Sequence, residues 1–597
     1  MQTLRGIAVS PGVAIGPALV LDARGRALPP RNLAAAAVPA ELERLDAALG
    51  AACRDAEAAE VDARGRLGPQ YADIFAAHAR MIADVALRDE ARARIGRDAI
   101  AAEHAVAEVL GGYAARLEGL ADSHLAARAA DVRDIERRIL ERLGGGPDAA
   151  AAAAVAPAVP SVALAHDLSP SQAAGLDPSR VLGFATEAGG RASHTAIVAA
   201  ALEIPAVVGI GPFPESARRC RTVIVDGDEG LVVLDPDAAT RARYRRAAAE
   251  RAARFAGLAR LDRLPAETRD GARVGLWGNI EFPAEVAGCR DRGAEGVGLY
   301  RTEFLYLNAD RPPTEDEQVA AYAAVVRSMA GRPVVIRTLD LGADKLTAYP
   351  QGAVEVERNP FLGLRSLRLS LREPAVFRTQ LRAILRVSAL GDVRVMFPLV
   401  STLGELRRAR AILDEVAAGL DAEGIPRRAD LPVGVMVEVP AAAIMADELS
   451  KEVDFFSIGT NDLIQYTLAV DRTNETVADL YSAADPAVLR LIAMVVAAAG
   501  RRPIGVNVCG SMGGEPLYTM LLLGLGLRQL SMPPHQLPEV KRVIRVIDLE
   551  QARAVAAEAL RQDTAEGVVR VLRGALDRAL APAATATPAA EGRGASA

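Results

Sequence analysis

The chain has 597 residues, more than one hydrophobic core supports, so several domains are expected. Its 70 Lys and Arg against 76 Asp and Glu leave a net charge of −6, which argues against a dedicated nucleic-acid partner. The hydrophobic fraction of 51% is inflated by alanine, and no stretch reaches the roughly 20 strongly apolar residues of a membrane span. The four cysteines (Cys53, Cys220, Cys289, Cys509) are scattered without metal-type spacing, which fits a reduced, cytoplasmic setting with no membrane insertion. Only three cations are lysine (Lys345, Lys451, Lys541), so a lysine inside a motif is informative.

The N-terminus, MQTLRGIAVSPGVAIGPALVL, is broken by glycines and Pro11 and reads as strands and turns, not as a signal peptide. Residues 34–145 show Ala/Glu/Arg/Leu stretches with helical spacing, for example Ile74, Phe75, His78, Met81, Ile82 and Val85, and predict a helical bundle. Gly144-Gly145-Gly146-Pro147 and the alanine run after it form a linker by composition. From about 150 to 237, short β-like segments alternate with helical ones. Thr222–Val225 and Leu231–Leu234 predict a hairpin. With the N-terminal strands (residues 1–33) this region predicts one small β/α domain into which the bundle is inserted. Residues 238–264 predict a connecting helix. Beyond 265, eight apolar runs of strand length recur: Val274–Ile280, Gly296–Tyr300, Val334–Leu339, Val393–Pro398, Val433–Val437, Phe455–Ile458, Ile504–Val508 and Arg528–Met532. Helix-like segments separate them, which predicts a (β/α)8 barrel over 265–577. Residues 578–597, rich in Ala, Pro, Thr and Gly, read as a disordered tail.

Active sites of such barrels lie where strands end and βα loops begin. The polar residues at those ends are Arg301, Arg337, Glu438, Asn461, Asp462 and Cys509, with Arg472 a further cation close by. Two planar guanidinium forks suit phosphate and carboxylate oxygens. Glu438 and Asp462 suit a hard divalent ion that keeps several waters, as Mg2+ does. The implied ligand is a small, multiply anionic phosphate compound bridged by metal. A second site is Gly189-Gly190-Arg191-Ala192-Ser193-His194-Thr195, where glycines admit an anion to backbone amides and His194 is placed to accept a phosphoryl group.

These motifs resemble the enzyme I family, the phosphoenolpyruvate-protein phosphotransferases among the PEP-utilizing enzymes. The similarity rests on Gly189–Thr195, Leu299-Tyr300-Arg301-Thr302-Glu303-Phe304, Arg337-Thr338-Leu339-Asp340, Asn359-Pro360-Phe361-Leu362-Gly363, Val435-Met436-Val437-Glu438 and Ser457-Ile458-Gly459-Thr460-Asn461-Asp462, in order along residues 4–575. In the bundle it extends to Ala129–Ile135 and the Phe75, His78, Met81 face. The resemblance implies a swivelling phosphohistidine β/α domain with an inserted helical bundle, followed by a C-terminal TIM barrel. It also implies PEP bound by Arg301, Arg337, Asn461, Asp462 and Arg472, and Mg2+ on Glu438 and Asp462. His194 becomes phosphohistidine, oriented by Ser169 where the family often has threonine. Cys509, expected as a partly exposed thiol, protonates the departing enolate. Lys345 and Arg365 match family positions near the ligand. Ser511 departs from the glutamate the family usually carries after Cys-Gly.

The bundle is then expected to dock the histidine-containing phosphocarrier protein HPr, and the barrel to form a homodimer. One histidine serving both a barrel-bound donor and a bundle-bound partner requires a swivel about residues 144–160 and 238–264. Three other readings are weighed against this one. A dikinase or PEP synthase needs an ATP-binding domain, and none precedes residue 180. A nitrogen-branch form usually carries a sensory domain, for which there is no room before Gly6, so that alternative stays open as a regulatory form lacking the domain. An idle phosphocarrier sensor is disfavoured by the intact His194, Glu438, Asp462 and Cys509.

Overall fold

A computed structural model describes residues 1–21, 32–66, 69–118, 129–144, 159–166, 168, 176–177, 179–189, 199, 204–213, 217, 220–307, 311–342, 359–472, 474, 477 and 480–581. The chain divides into two compact units, Met1–Arg254 and Phe255–Ala597.

In the first unit, eight strands form one sheet: β1 (Gln2–Arg5), β2 (Ile7–Ser10), β3 (Val13–Leu21), β4 (Ser161–Ala165), β5 (Val181–Thr186), β6 (Ala206–Val208), β7 (Thr222–Asp226) and β8 (Leu231–Leu234). Their order is β1-β8-β7-β3-β4-β5-β6-β2. β3 to β6 run parallel, and β7–β8 is the antiparallel hairpin expected around Asp226–Gly230. β1 and β2 lie at opposite ends of this order yet are joined by Gly6 alone, so the sheet curls until its two edges approach. Gly6 permits that approach: a Cβ there would lie 2.7 Å from the Val208 carbonyl oxygen.

Between β3 and β4 the chain forms α1 (Val38–Arg66), α2 (Pro69–Ile82), α3 (Val85–Asp98), α4 (Ala102–Glu118) and α5 (Ala129–Leu143). Ala48, Ala52 and Ala56 on α1 are buried at four-residue spacing, and their small side chains let neighbouring helices close in. Leu45, Ile82, Ile95, Leu110, Ile135 and Ile139 complete this core. Phe75 of α2 packs instead with Ala163 and Phe184 of the sheet. His78 is buried between Asp131 and Asp134, whereas Met81 on the same helix and Val85 at the start of α3 are exposed. The connecting segment is helical as expected, as α6 (Ala238–Ala259).

The second unit is a closed barrel of eight parallel strands: β9 (Gly275–Ile280), β10 (Val297–Tyr300), β11 (Val334–Arg337), β12 (Val393–Phe397), β13 (Val433–Val437), β14 (Phe455–Ile458), β15 (Gly505–Val508) and β16 (Gln529–Met532). All eight apolar runs of the sequence become barrel strands. They are buried on both faces, against the helical layer outside and the packed lumen inside, and therefore read as continuous apolar runs. Trp277, Leu299, Val335, Met396, Met436, Phe455 and Cys509 fill the lumen. Of the three lysines, Lys541 is buried and donates to the carbonyls of Leu261 and Asp262, tying down the chain segment that enters the barrel. Among the described residues no helix is long and apolar enough to cross a membrane.

Candidate active site

Strand alternation builds the barrel mouth. Two residues beyond the lumen side chains Leu299, Val335 and Met436 stand Arg301, Arg337 and Glu438, and two beyond Asn507 stands Cys509. With a side-chain period of two, each polar residue shares the inward face of its apolar predecessor. The strand-end residues read from the sequence therefore converge on one mouth.

There they form a lattice of arginines and carboxylates. Arg301 pairs with Glu281, which follows β9. Arg337, nearly buried, holds Glu303 at 3.0 Å and Asp340 at 2.8 Å. Arg365 reaches Asp340 at 3.1 Å and Asp462 at 3.4 Å, and Tyr466 at 3.3 Å. Arg472, the most exposed of the four, lies 3.9 Å from Asp462. Burial alone would weaken the charges on Arg337 and Arg365, but the surrounding carboxylates outweigh it and hold both pKa values above the ordinary arginine value. Burial would also raise Asp340, yet Arg337 and Arg365 bring it down to about 2. Glu438 goes the other way. Burial, then the charges of Asp340 and Asp462, push it well above the usual carboxylate range.

Glu438 and Asp462 meet the requirements of a hard cation. Three carboxylates crowd together here, so a divalent ion would relieve a repulsion already visible at Glu438. Gly459 leaves the carboxylate its space, since a Cβ at that position would lie 2.7 Å from Glu438 Oε2. No set of three or more His, Cys, Asp or Glu side chains among the described residues forms a closed cage. Two carboxylates without a closed cage are a donor set that suits a hard divalent ion whose other positions are taken by water or substrate oxygens.

Cys509 departs from expectation: it is buried, at 2% exposure, and burial pushes its thiol up to about 11. The lumen packing that surrounds it is invisible in a linear sequence. Its backbone is held from both sides, by its N–H to the Ile458 carbonyl at 3.1 Å and by Asn279 Nδ2 donating to its own carbonyl at 2.9 Å. Gly510 allows the next loop to touch the helix Thr460–Leu468, because a Cβ there would meet Thr460 Oγ1 at 1.9 Å. Ser511 then donates to Asn461 Oδ1 from its N–H at 3.0 Å and its hydroxyl at 2.9 Å. The residue that breaks the family pattern thus fixes the orientation of the Asn461 side-chain amide.

Sequence reading overlooked Glu281, Glu303 and Asp340, the carboxylates that hold the arginines. The available signal was an acidic residue two or three positions after each strand-end arginine (Arg301 to Glu303, Arg337 to Asp340). In the first unit, His194, Ser169 and most of the Gly189–Thr195 motif lie outside the described residues, as does Lys345 in the barrel. Gly189 is described and has φ +109°, a conformation that favours glycine.

Comparison with known proteins places these features. The PEP-binding domain of PEP-utilising enzymes matches residues 255–549, their N-terminal domain residues 5–128 and their mobile domain residues 158–230. The phosphoenolpyruvate-protein phosphotransferase of Geobacillus stearothermophilus is 43% identical over 578 residues, covering 96% of this chain and 98% of that protein. The chain belongs to the phosphoenolpyruvate-protein phosphotransferase family. The Bacillus subtilis (strain 168) member is 41% identical over 573 residues, covering 96% of this chain and 99% of that protein. A solution structure of an Enzyme I protein (nEIt) is 34% identical, covering 41% of this chain and 98% of that one, with a TM-score of 0.34. Within the family frame, the PEP-binding domain coincides with the barrel and the mobile domain with the segment from β4 to β7.

Proposed function

We propose that this chain takes the phosphoryl group of phosphoenolpyruvate onto His194, releases pyruvate, and passes the group to the histidine-containing phosphocarrier protein HPr docked on the helical bundle. The observation that carries the barrel half of this reading is the mouth lattice, in which Arg337 and Arg365 stand beside Glu438, Asp462 and Cys509. Arg301, Arg337 and Arg472, with the side-chain amide of Asn461, are the groups that would take the phosphate and carboxylate oxygens of the substrate. Glu438 and Asp462 would hold Mg2+, which when bound supplies positive charge to the phosphoryl oxygens.

Phosphoryl transfer depends mainly on positioning and charge stabilisation, and the arginines provide both. A ring nitrogen of His194 attacks phosphorus as the bond from phosphorus to the enol oxygen breaks. The enolate left in the barrel takes a proton on its methylene carbon from the Cys509 thiol, giving pyruvate, and solvent reprotonates the thiolate. A thiol raised to about 11 is fully protonated at neutral pH, the state that a proton donor requires. The swivel of the mobile domain and a homodimer through the barrel belong to the same reading.

The test is direct. Incubation with 32P-labelled phosphoenolpyruvate and Mg2+ is expected to give an acid-labile, base-stable label that chelation prevents, that His194→Ala abolishes, and that moves to added HPr. Label surviving His194→Ala refutes the assignment.

A further inference from the structure

Six non-glycine residues among those described have positive φ: Ala99, Asp235, Ala330, Ser366, Leu399 and Ala469. Side chains avoid this region, so each needs a reason. Four have an ordinary one. Ala99 and Ala469 are left-handed caps that end the helices Val85–Asp98 and Thr460–Leu468. Ala330 follows the helix Glu315–Ser328, and Asp235 closes a turn in which its carboxylate accepts from the N–H groups of Arg221 and Thr222.

Ser366 (φ +54°) and Leu399 (φ +51°) close no helix. Ser366 opens the helix Ser366–Arg372, and Leu399 follows β12. They are buried, at 0% and 2% exposure, and each directs a hydrogen-bond donor at a carboxylate of the barrel mouth. The Ser366 hydroxyl donates to Asp340 Oδ1, the oxygen that also takes Arg365, while the other Asp340 oxygen takes Arg337. The Leu399 N–H donates to Glu438 Oε1 at 2.7 Å. The two conformations that a relaxed backbone would avoid thus stand where they fix one carboxylate each.

We propose that Ser366 and Leu399 are positioning residues: Ser366 acts through Asp340 on the Arg337 and Arg365 guanidinium groups, and Leu399 acts through Glu438 on the divalent ion. Strain held by burial keeps each donor in place before substrate or metal arrives. The buried Leu399 side chain anchors its N–H, and the Ser366 hydroxyl sets the plane of the carboxylate that bridges two cations. This inference rests on the proposed roles of the barrel-mouth residues, which the labelling of the unaltered protein tests separately.

The experiment compares Ser366→Ala, Ser366→Gly, Leu399→Gly and Leu399→Ala in the full chain. Each variant is assayed for KM and kcat with phosphoenolpyruvate, and separately titrated with Mn2+ alone. Loss of a hydrogen bond to a charged group predicts a KM raised about tenfold in both Ser366 variants. Their Mn2+ affinity should stay within about twofold of the unaltered protein, as expected if the metal ligands are undisturbed. Ser366→Gly also removes the backbone strain, so it covers the case in which Ser366→Ala folds poorly. Leu399→Gly should weaken Mn2+ about tenfold, the usual scale for losing a support to a metal ligand, and Leu399→Ala should do so less. Variants that change only thermal stability overturn the proposal, as do Ser366 variants that weaken Mn2+ as much as they raise KM and Leu399 variants that leave Mn2+ affinity unchanged.

Discussion

A single carboxylate, Asp340, serves two guanidinium groups, and this sets a pH signature. Its pKa in the folded chain is about 2, below the ordinary aspartate value of roughly 3.9. The stabilisation it provides is therefore complete above about pH 4 and is lost as pH falls through about 2. Urea unfolding at a series of pH values should show Asp340→Asn less stable than the unaltered protein at pH 5, with the gap closing toward pH 2. A gap that stays constant over that range contradicts the ion-pair account. At this scale the cationic half of the site was legible: Arg301, Arg337 and Arg472 stand at or near strand ends in an arginine-rich chain whose strands could be counted. The anionic half was only partly legible, because an acid near an arginine in sequence reads as an ordinary surface pair. Enclosure beside Arg337, at 3.0 and 2.8 Å, is what makes Glu303 and Asp340 its counter-ions.

At the scale of elements, the loop after β15 depends on Gly510. A methyl group there would collide with Thr460, which begins the helix carrying Asn461 and Asp462. Gly510→Ala should therefore separate the Cys509 loop from that helix and lower kcat about a hundredfold, the scale expected for a displacement near 1 Å. Thermal unfolding should also show a loss of about 1–3 kcal/mol, the usual cost of overpacking, and an unchanged kcat would show the contact to be dispensable. Other elements are fixed locally. The helix Leu403–Glu423 begins with a capping box, in which Thr402 and Glu405 satisfy each other's backbone N–H, and it ends at Gly424 in a left-handed cap. Such signals lie within a few residues of one another, which is why the helices and the eight barrel strands could be read directly. The curl of the first sheet could not, because it depends on β1 and β2 reaching opposite edges across Gly6.

At the scale of the whole molecule, the barrel exposes a groove where Ile444 (61% exposed) and Met494 (44% exposed) stand beside Ala443, Ala446 and Ala497, with the Asp447–Arg501 ion pair also lining it. We expect the barrel-mediated dimer of the proposed function to use it. Sedimentation velocity should show a dimer for the unaltered chain and a shift toward monomer for Ile444→Asp, while a dimer untouched by Ile444→Asp moves the interface elsewhere. Lys541 acts at this scale as a buried tie to the carbonyls of Leu261 and Asp262, far from it in the chain.

The sequence by itself determined the class of fold, the order of the elements and the family, because periodicity, capping and motif order are carried by neighbouring residues. It also marked the residues at the barrel mouth, because the two-residue strand period fixes which side chains face inward. Only the tertiary structure decided which charges neutralise one another, that Cys509 is buried with its thiol pushed up, and that Ser366 and Leu399 hold strained conformations behind the carboxylates. These properties arise from burial and from contacts between segments far apart in the chain, where the loss of water makes each pairing strong and each unpaired charge costly.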